Sequence, residues 1–378
     1  MPKKLGFLAT HPIQYYSPLF YYLAQKKDLD VTVYYCHKPT PEQQGAGFGV
    51  PFEWDKDLLS GYRHIFLSNV SKRPGISNFF GCDTPEIDEI IRRQKFDSFI
   101  IMGWDKRSYW QAIKACGRAG TLLMVRGDSQ LSRRTPAVKL LAKRIIYPCF
   151  MRRFHACLAV GLRSEEYFRY YGAKRVVRSP HFVDNEWFER ESQKSLEPRS
   201  GPIFLFSGKF EEKKHPMDYL KALEKLKQDS TAPIRAVMAG DGVLREKCEQ
   251  FAKDKKLDVH FTGFVNQSAM PKIYASADVL VLTSDDRETW GLVVNEAMAC
   301  GLPVIVSEEA GSAPDLVSHG NTGFIFPCGD VEKLASYMQK FRQDRSLAIS
   351  MGCQARVYIK DFSVARAAAG ILQAAGGL

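Results

Sequence analysis

Short apolar runs end in polar loops along most of this chain, and stretches of helical spacing separate them. Residues 4–9, 31–36, 99–102 and 122–125 read as short, largely apolar strands. Residues 17–25 and 85–94 between them carry apolar positions at helical spacing. The second half repeats the pattern. Residues 277–284 and 303–307 read as buried strands, 259–265 as a strand and loop and 320–326 as a turn and a short strand, and residues 363–375 form an alanine-rich amphipathic helix. Alternating strand and helix predicts parallel, doubly wound sheets, whose ligands sit at the carboxyl ends of the strands. The loops carrying His11, Trp104-Asp105 and 126–129 should therefore line one rim. No G-x-G-x-x-G follows the first strand, which argues against a dinucleotide-dependent dehydrogenase.

The most informative stretch runs from Glu288 to Gly301: E-T-W-G-L-V-V-N-E-A-M-A-C-G. Two carboxylates, Glu288 and Glu296, flank a glycine turn and the start of an apolar helix. Glu288 falls in the loop after a buried strand, and Glu296 about one turn into the helix. The helix start between them offers free backbone N–H groups and the positive dipole end, a setting suited to phosphate. A nucleotide sugar has matching needs: hydroxyls at the ribose, a dianionic diphosphate, hydroxyls at the sugar. The competing reading is an ordinary βα unit with two solvated glutamates.

The flanks decide between these readings. Gly301-Leu302-Pro303-Val304-Ile305-Val306 follows, then a second helix opening at 310–317 and a closing turn at 320–323. This run resembles the E-(F/S/T)-(F/W)-G-L-x3-E-A-M-A-x-G-x-P-V string of glycosyltransferase family four, retaining enzymes of the GT-B fold. Upstream, Gly208-Lys209-Phe210-Glu211-Glu212-Lys213-Lys214 resembles the family's G-(R/K)-L-x3-K segment, and Gly240-Asp241-Gly242 its strand-end turn. His181-Phe182-Val183-Asp184 resembles its (N/H)-x-V-D element, where Asp184 is expected to be structural. Many relatives carry a Gly-Gly loop after the first strand. This chain has His11-Pro12-Ile13-Gln14-Tyr15-Tyr16 there, and with Gly47-Phe48-Gly49 and Trp54-Asp55 it resembles a bacterial subgroup.

The resemblance implies an α/β, GT-B protein: two Rossmann-like doubly wound domains facing each other across a cleft, with a C-terminal helix returning to the first. The implied division is an acceptor domain at 1–185, a polar linker at 186–202, a nucleotide-sugar domain at 203–360 and the returning helix at 361–378. It implies a retaining glycosyltransferase with a nucleotide-diphosphate sugar, UDP-sugar above all, as co-substrate. Lys209 and Lys214 match the family's phosphate-binding cations, which stabilise charge growing on the leaving diphosphate; Lys213 competes with Lys214 for that role. Donor contacts are then expected from Gly208, Lys209, Lys214, Phe264, Val265, Glu288, Thr289, Trp290, Gly291, Leu292, Val293 and Glu296. Lys209, Lys214 and Glu288 carry the chemistry on this reading. In the first domain His11 can hydrogen-bond the reacting sugar and Asp128 can orient an acceptor hydroxyl. The rival roles are a His-Pro helix cap and an Arg126–Asp128 structural pair. The rival function is a catalytically silent nucleotide-sugar-binding partner in a glycan assembly complex.

Composition changes the picture in two places. At 378 residues the chain exceeds one comfortable core, which fits two domains. Charge is lopsided: residues 1–190 carry 30 Lys and Arg against 18 Asp and Glu, whereas the remainder has 23 against 24. No acid lies between Asp128 and Glu165, where Arg133, Arg134, Lys139, Lys143, Arg144, Arg152 and Arg153 interleave with apolar residues. A basic amphipathic helix there can lie on an anionic membrane, or pack its apolar face in the core. The acceptor, a glycan, lipid-linked or small-molecule one, is accordingly expected to be anionic or membrane-presented; a neutral, soluble sugar or small molecule is the rival. Nucleic acid is not expected, as no binding motif is present. The nine scattered cysteines form no C-x-x-C and read as reduced core residues. Asp285-Asp286 lacks the alternate spacing of a D-x-D metal motif, so no metal is expected. Without a run of eighteen apolar residues or a leader-like N-terminus, the expected location is the cytoplasm, peripheral at the inner face of the membrane at most.

Overall fold

The computed structural model describes residues 1–132, 134–193, 202–228 and 234–376. Two sheets, all parallel, organise it. The first contains β1 (Lys3–Ala9), β2 (Leu29–Tyr35), β3 (Arg63–Phe66), β4 (Ser98–Ile101), β5 (Leu122–Gly127), β6 (Ala156–Ala159) and β7 (Val176–Arg178). Their order is β3-β2-β1-β4-β5-β6-β7. The second contains β8 (Ile203–Ser207), β9 (Arg235–Ala239), β10 (Asp258–Gly263), β11 (Val279–Leu282), β12 (Val304–Ser307) and β13 (Gly323–Phe326), ordered β10-β9-β8-β11-β12-β13. Two doubly wound, Rossmann-like sheets are what the alternation predicts. Central strands such as β4 and β11 are buried on both faces, hence their unbroken apolar sequences. Edge strand β3 alternates exposed and half-buried positions.

In each sheet the strand order reverses once, between β1 and β4 and between β8 and β11. Loops leaving the carboxyl ends of those neighbours diverge to opposite faces and open a crevice, the usual ligand site of such sheets. His11 follows β1, and Lys209 follows β8. The loop from Thr283 to Leu292 follows β11.

By their internal contacts the residues fall into two units. One holds 1–43, 56–181 and 364–378; the other holds 44–55 and 182–363. The helix Val364–Ala374 belongs to the first. Ser179 Oγ donates to the Ala367 carbonyl at 2.9 Å, and Arg175 donates to the carbonyls of Gln373 and Ala374 at 2.7 and 3.0 Å. Gly370 lies so close to β7 that a Cβ there would meet the Arg178 carbonyl at 1.9 Å.

Element ends differ from the periodicity by one or two residues, as fraying ends do. The apolar run 277–284 yields a shorter β11, because Thr283 and Ser284 pass beyond the last paired residue, Leu282. The basic segment forms the helix Ala137–Met151, with Pro136 just before it and Pro148 inside it without ending it. Most of its apolar side chains stay out of the core: Val138, Leu141, Ile145 and Ile146 are 82%, 61%, 70% and 61% exposed, whereas Phe150 and Met151 at its end are buried in the core. Arg133 lies outside the described residues. So does 194–201, part of the expected linker; its start is the helix Asn185–Ser192, capped by Asp184, whose carboxylate accepts from Trp187 N at 3.0 Å. All nine cysteines are free thiols, six of them buried. No helix among the described residues is long and apolar enough to cross a membrane.

Candidate functional site

The second unit brings several of the expected residues together. Beyond β8 the chain turns at Gly208, passes Lys209, inserts the buried Phe210, and makes a single 3₁₀ turn over Glu212–Lys214. His215 then adopts a left-handed conformation before the helix Pro216–Gln228 begins. This turn is bolted to the end of β11. Thr283 Oγ1 donates to the carbonyls of Lys214 and His215 at 2.6 and 3.0 Å, and Asp285 N donates to the Lys213 carbonyl at 2.9 Å. Gly240 packs against the same turn, where a Cβ would lie 1.9 Å from the Gly208 carbonyl.

The fastening aims Lys214 inward. Its ammonium pairs with the Glu288 carboxylate, and the two side chains keep only 11% and 12% of their exposure. Lys213 points elsewhere, to Glu211 at 3.4 Å, so of the two adjacent lysines it is Lys214 that meets the first glutamate of the motif. Lys209 is half-buried. Burial first, then the neighbouring charges of Lys213 and Lys214, lower its pKa against the opposing pull of Glu211.

A second layer of charge supports this one. The fully buried Asp285 receives Arg287 through Nε and Nη2, at 3.1 and 2.7 Å, and the Arg287 backbone N–H at 2.9 Å. His215 bridges Asp218 and Asp285 at 3.0 and 3.2 Å. Burial would raise the Asp285 carboxyl, yet the bonds from Arg287 and His215 hold it well below the usual range. The hydrogen bond that His215 makes to the Asp218 carboxylate, opposed by burial and aided by Asp285, raises the His215 pKa. Neither Asp285 nor His215 is conspicuous in the motif; a buried polar pair directly after a strand was the available signal.

The loop 288–292 is shaped by glycine. Gly291 has φ +94°, and a Cβ there would sit 2.8 Å from Leu282. Gly311 approaches so closely that a Cβ would meet the Thr289 carbonyl at 1.8 Å. Trp290 is turned into the interior, its indole N–H donating to Asn295 Oδ1 at 2.8 Å. Thr289, Leu292 and Val293 stay partly accessible. The hydroxyls of Ser284 and Ser312 are buried near this loop with no hydrogen-bond partner among the described residues. The helix Val293–Ala299 has only seven residues, so its dipole is a weaker device than the sequence implies, and the lysines carry more of the positive charge. Glu296 is 3% exposed in its first turn, where one carboxylate oxygen accepts from Tyr274 Oη at 2.6 Å. Phe264 and Val265, beyond β10, are half-buried.

The first unit places its candidates at the matching ends of its own sheet. His11 is 9% exposed and shares a 2.9 Å hydrogen bond between Nδ1 and Thr10 Oγ1. Burial, reinforced by His37, lowers its pKa to about 4, so the imidazole is neutral at pH 7. Arg126 is buried and donates to the carbonyls of Ser179 and Pro180 at 3.1 and 2.9 Å, with the Tyr16 ring 5.7 Å away. Asp128 is exposed just past β5. Among the described residues no cluster of three or more His, Cys, Asp or Glu is arranged to hold a metal ion.

Residues 188–358 match the family described as Glycosyl transferases group 1. Among curated relatives, the sulfoquinovosyl transferase SQD2 of Arabidopsis thaliana is 38% identical over 141 residues, 36% of this chain and 27% of that one. The GalNAc-alpha-(1->4)-GalNAc-alpha-(1->3)-diNAcBac-PP-undecaprenol alpha-1,4-N-acetyl-D-galactosaminyltransferase of Campylobacter jejuni is 26% identical over 247 residues, 65% of each chain. The matches therefore span between about a quarter and two thirds of these relatives. The crystal structure of Anabaena Alr3699/HepE in complex with UDP and glucose superposes with TM-score 0.72 at 17% identity, covering 100% of both chains. That likeness shows the GT-B fold. Both of these relatives are glycosyltransferases.

Proposed function

We propose that this chain is a retaining glycosyltransferase that moves a sugar from a nucleotide-diphosphate sugar, a UDP-sugar, to a lipid-linked or otherwise anionic glycan acceptor. The observation that carries it is the Lys214–Glu288 pair at the reversal point of the second sheet, with Lys209 on the same turn. Two cations at that point suit a leaving nucleoside diphosphate, whose charge grows as the glycosidic bond breaks. Glu288 steers Lys214 and faces the sugar hydroxyls; Glu296 holds the ribose. A hydrolase acid–base pair fits less well, because the positive charge lies where a diphosphate departs rather than where a glycosidic oxygen is protonated. The solved HepE structure contains UDP, which favours a uridine donor here.

His11 meets the reacting sugar and Asp128 orients the acceptor hydroxyl. His11, neutral and hydrogen-bonded through Nδ1, presents an uncharged imidazole to a sugar hydroxyl. The helix Ala137–Met151, with its outward Val138, Leu141, Ile145 and Ile146 among lysines and arginines, touches an anionic membrane that presents the acceptor. The test is a panel of UDP-, GDP- and dTDP-sugars scored for turnover with lipid and soluble acceptors in the presence of chelator. NMR of the product then reads the anomeric configuration. Turnover of a UDP-sugar with retained configuration is expected. Failure to hydrolyse or transfer any donor while still binding one would instead identify a silent binding partner.

A further inference from the structure

Residues 44–55 lie in the half of the chain that builds the first sheet, yet their contacts are those of the second unit. They reach the two places where the donor is expected. At one, the Ala46 carbonyl accepts from Lys209 Nζ at 3.1 Å, and the same ammonium lies 4.8 Å from the centroid of the Phe48 ring. Gly47, at φ +91°, leaves room for this: a Cβ there would crowd Nζ at 2.8 Å. At the other, Phe52 stacks on Phe264 with centroids 4.2 Å apart and planes at 29°, and Phe48 meets the same ring at 5.0 Å. The segment is tied down beyond these contacts. Asn266 Nδ2 donates to the Glu53 carbonyl at 2.7 Å, and Ser268 N donates to the Asp55 carboxylate at 3.2 Å.

We propose that Ala46 and Phe48 are positioning residues of the donor site, holding the Lys209 ammonium where the donor diphosphate needs it. The inference rests on the reading of Lys209 as a diphosphate-binding cation. A lysine on a flexible four-carbon stem pays to be ordered, and it is a point charge that does not orient itself. A carbonyl supplies one directed hydrogen bond. An aromatic face supplies attraction to the cation without neutralising it. Neither is an anion, so the ammonium keeps its charge for a phosphate, whereas a carboxylate in the same place would compete with the ligand. Phe52, by covering one side of Phe264, fixes the ring that borders the expected base position and so keeps the segment in register with it.

The test is calorimetric binding of UDP, GDP and dTDP, and of the corresponding monophosphates, to the full chain and to Phe48→Leu, Phe48→Tyr, Lys209→Ala and Phe48→Leu/Lys209→Ala. Phe48→Leu should weaken the preferred diphosphate by about three- to tenfold, the range of a cation–π contact, and leave the monophosphate within about twofold of wild type. Phe48→Tyr, which keeps the ring face, should restore diphosphate binding relative to leucine. In the Lys209→Ala background the leucine substitution should add nothing. An equal loss in both backgrounds, or an equal loss with monophosphate, means that the segment acts on the fold rather than through Lys209 and overturns the proposal. Unchanged diphosphate binding by Phe48→Leu, with Lys209→Ala impaired, overturns it while the donor reading stands. Lys209→Ala that binds as wild type does, or wild type that binds none of the three, overturns the donor reading and this inference together.

Discussion

Replacing Lys214 should have two separable effects, on catalysis and on the fold. Lys214→Met removes the cation and keeps much of the stem's volume. It leaves the Glu288 carboxylate, 12% exposed, without its lysine. Breaking one side of a well-buried pair costs about 3–5 kcal/mol; some exposure remains here, so about 3 kcal/mol is expected. For a unit of this size that lowers Tm by roughly 6–12 °C. Turnover should fall by about 10²–10³, the cost of losing a donor to charge that develops in the transition state. Adding Glu288→Gln removes the stranded charge. The double variant should recover most of the melting temperature and none of the turnover. Melting curves and initial rates with the preferred donor, measured on the same preparations, check both halves. If the double variant regains turnover along with stability, Lys214 is a structural cation and its place at the leaving group is wrong.

Glu296→Ala should act differently, raising the donor KM more than it lowers kcat, because a ribose contact is made equally in ground and transition states. Steady-state kinetics with donor varied decide it, and a pure kcat effect would count against the role. His11 makes a prediction about pH. Its folded pKa of about 4 lies below the unfolded 6.5, so the unfolded chain binds the extra proton first. Stability therefore falls as pH drops from about 6.5 to 4, by roughly 3 kcal/mol at the low end, and urea titrations of His11→Asn should lack that component. Vesicles containing anionic lipid should sediment the protein at low salt and release it toward 1 M, where the Debye length shrinks to about 3 Å. Leu141→Gln/Ile145→Gln should weaken that association while leaving turnover of a soluble acceptor unchanged.

Much of the fold could be read directly. Strands such as β4 and β11 are continuous apolar runs because both faces are covered, and polar loops follow their carboxyl ends. The motif 288–301 placed Glu288 in a loop and Glu296 one turn into a helix, where the structure has them. Periodicity could not choose between Lys213 and Lys214. The choice is made by a single 3₁₀ turn fastened to Thr283, a contact 69 residues away in sequence. Nor could it say which way the basic helix Ala137–Met151 turns its apolar side. An amphipathic pattern reports that two faces differ and not what lies against either. The segment 44–55 was harder still. Glycine-rich and aromatic, it has no periodicity, and its partners stand 163 and 213 residues further on. Local sequence carries no trace of such a pairing.

The resulting arrangement makes one more behaviour calculable in sign. Lys209, Lys213 and Lys214 crowd one turn, and burial with their repulsion, offset in part by Glu211, lowers the proton affinity of Lys209. The partners around Lys209 at Ala46 and Phe48 are neutral, so they orient the ammonium without relieving that repulsion. A bound diphosphate brings negative charge to the cluster and must raise the lysine's pKa again. Where the free protein has begun to lose this proton and the complex has not, binding takes up a proton. Affinity for a nucleoside diphosphate should then weaken as pH rises through the lowered Lys209 pKa. Calorimetry in buffers of different ionisation enthalpy should register an uptake that grows as pH rises toward the lowered Lys209 pKa. Lys209→Arg, which keeps the charge at every accessible pH, should abolish the uptake while binding persists. A diphosphate affinity that is flat with pH, with no proton uptake, would mean that the ligand's charge never comes near Lys209.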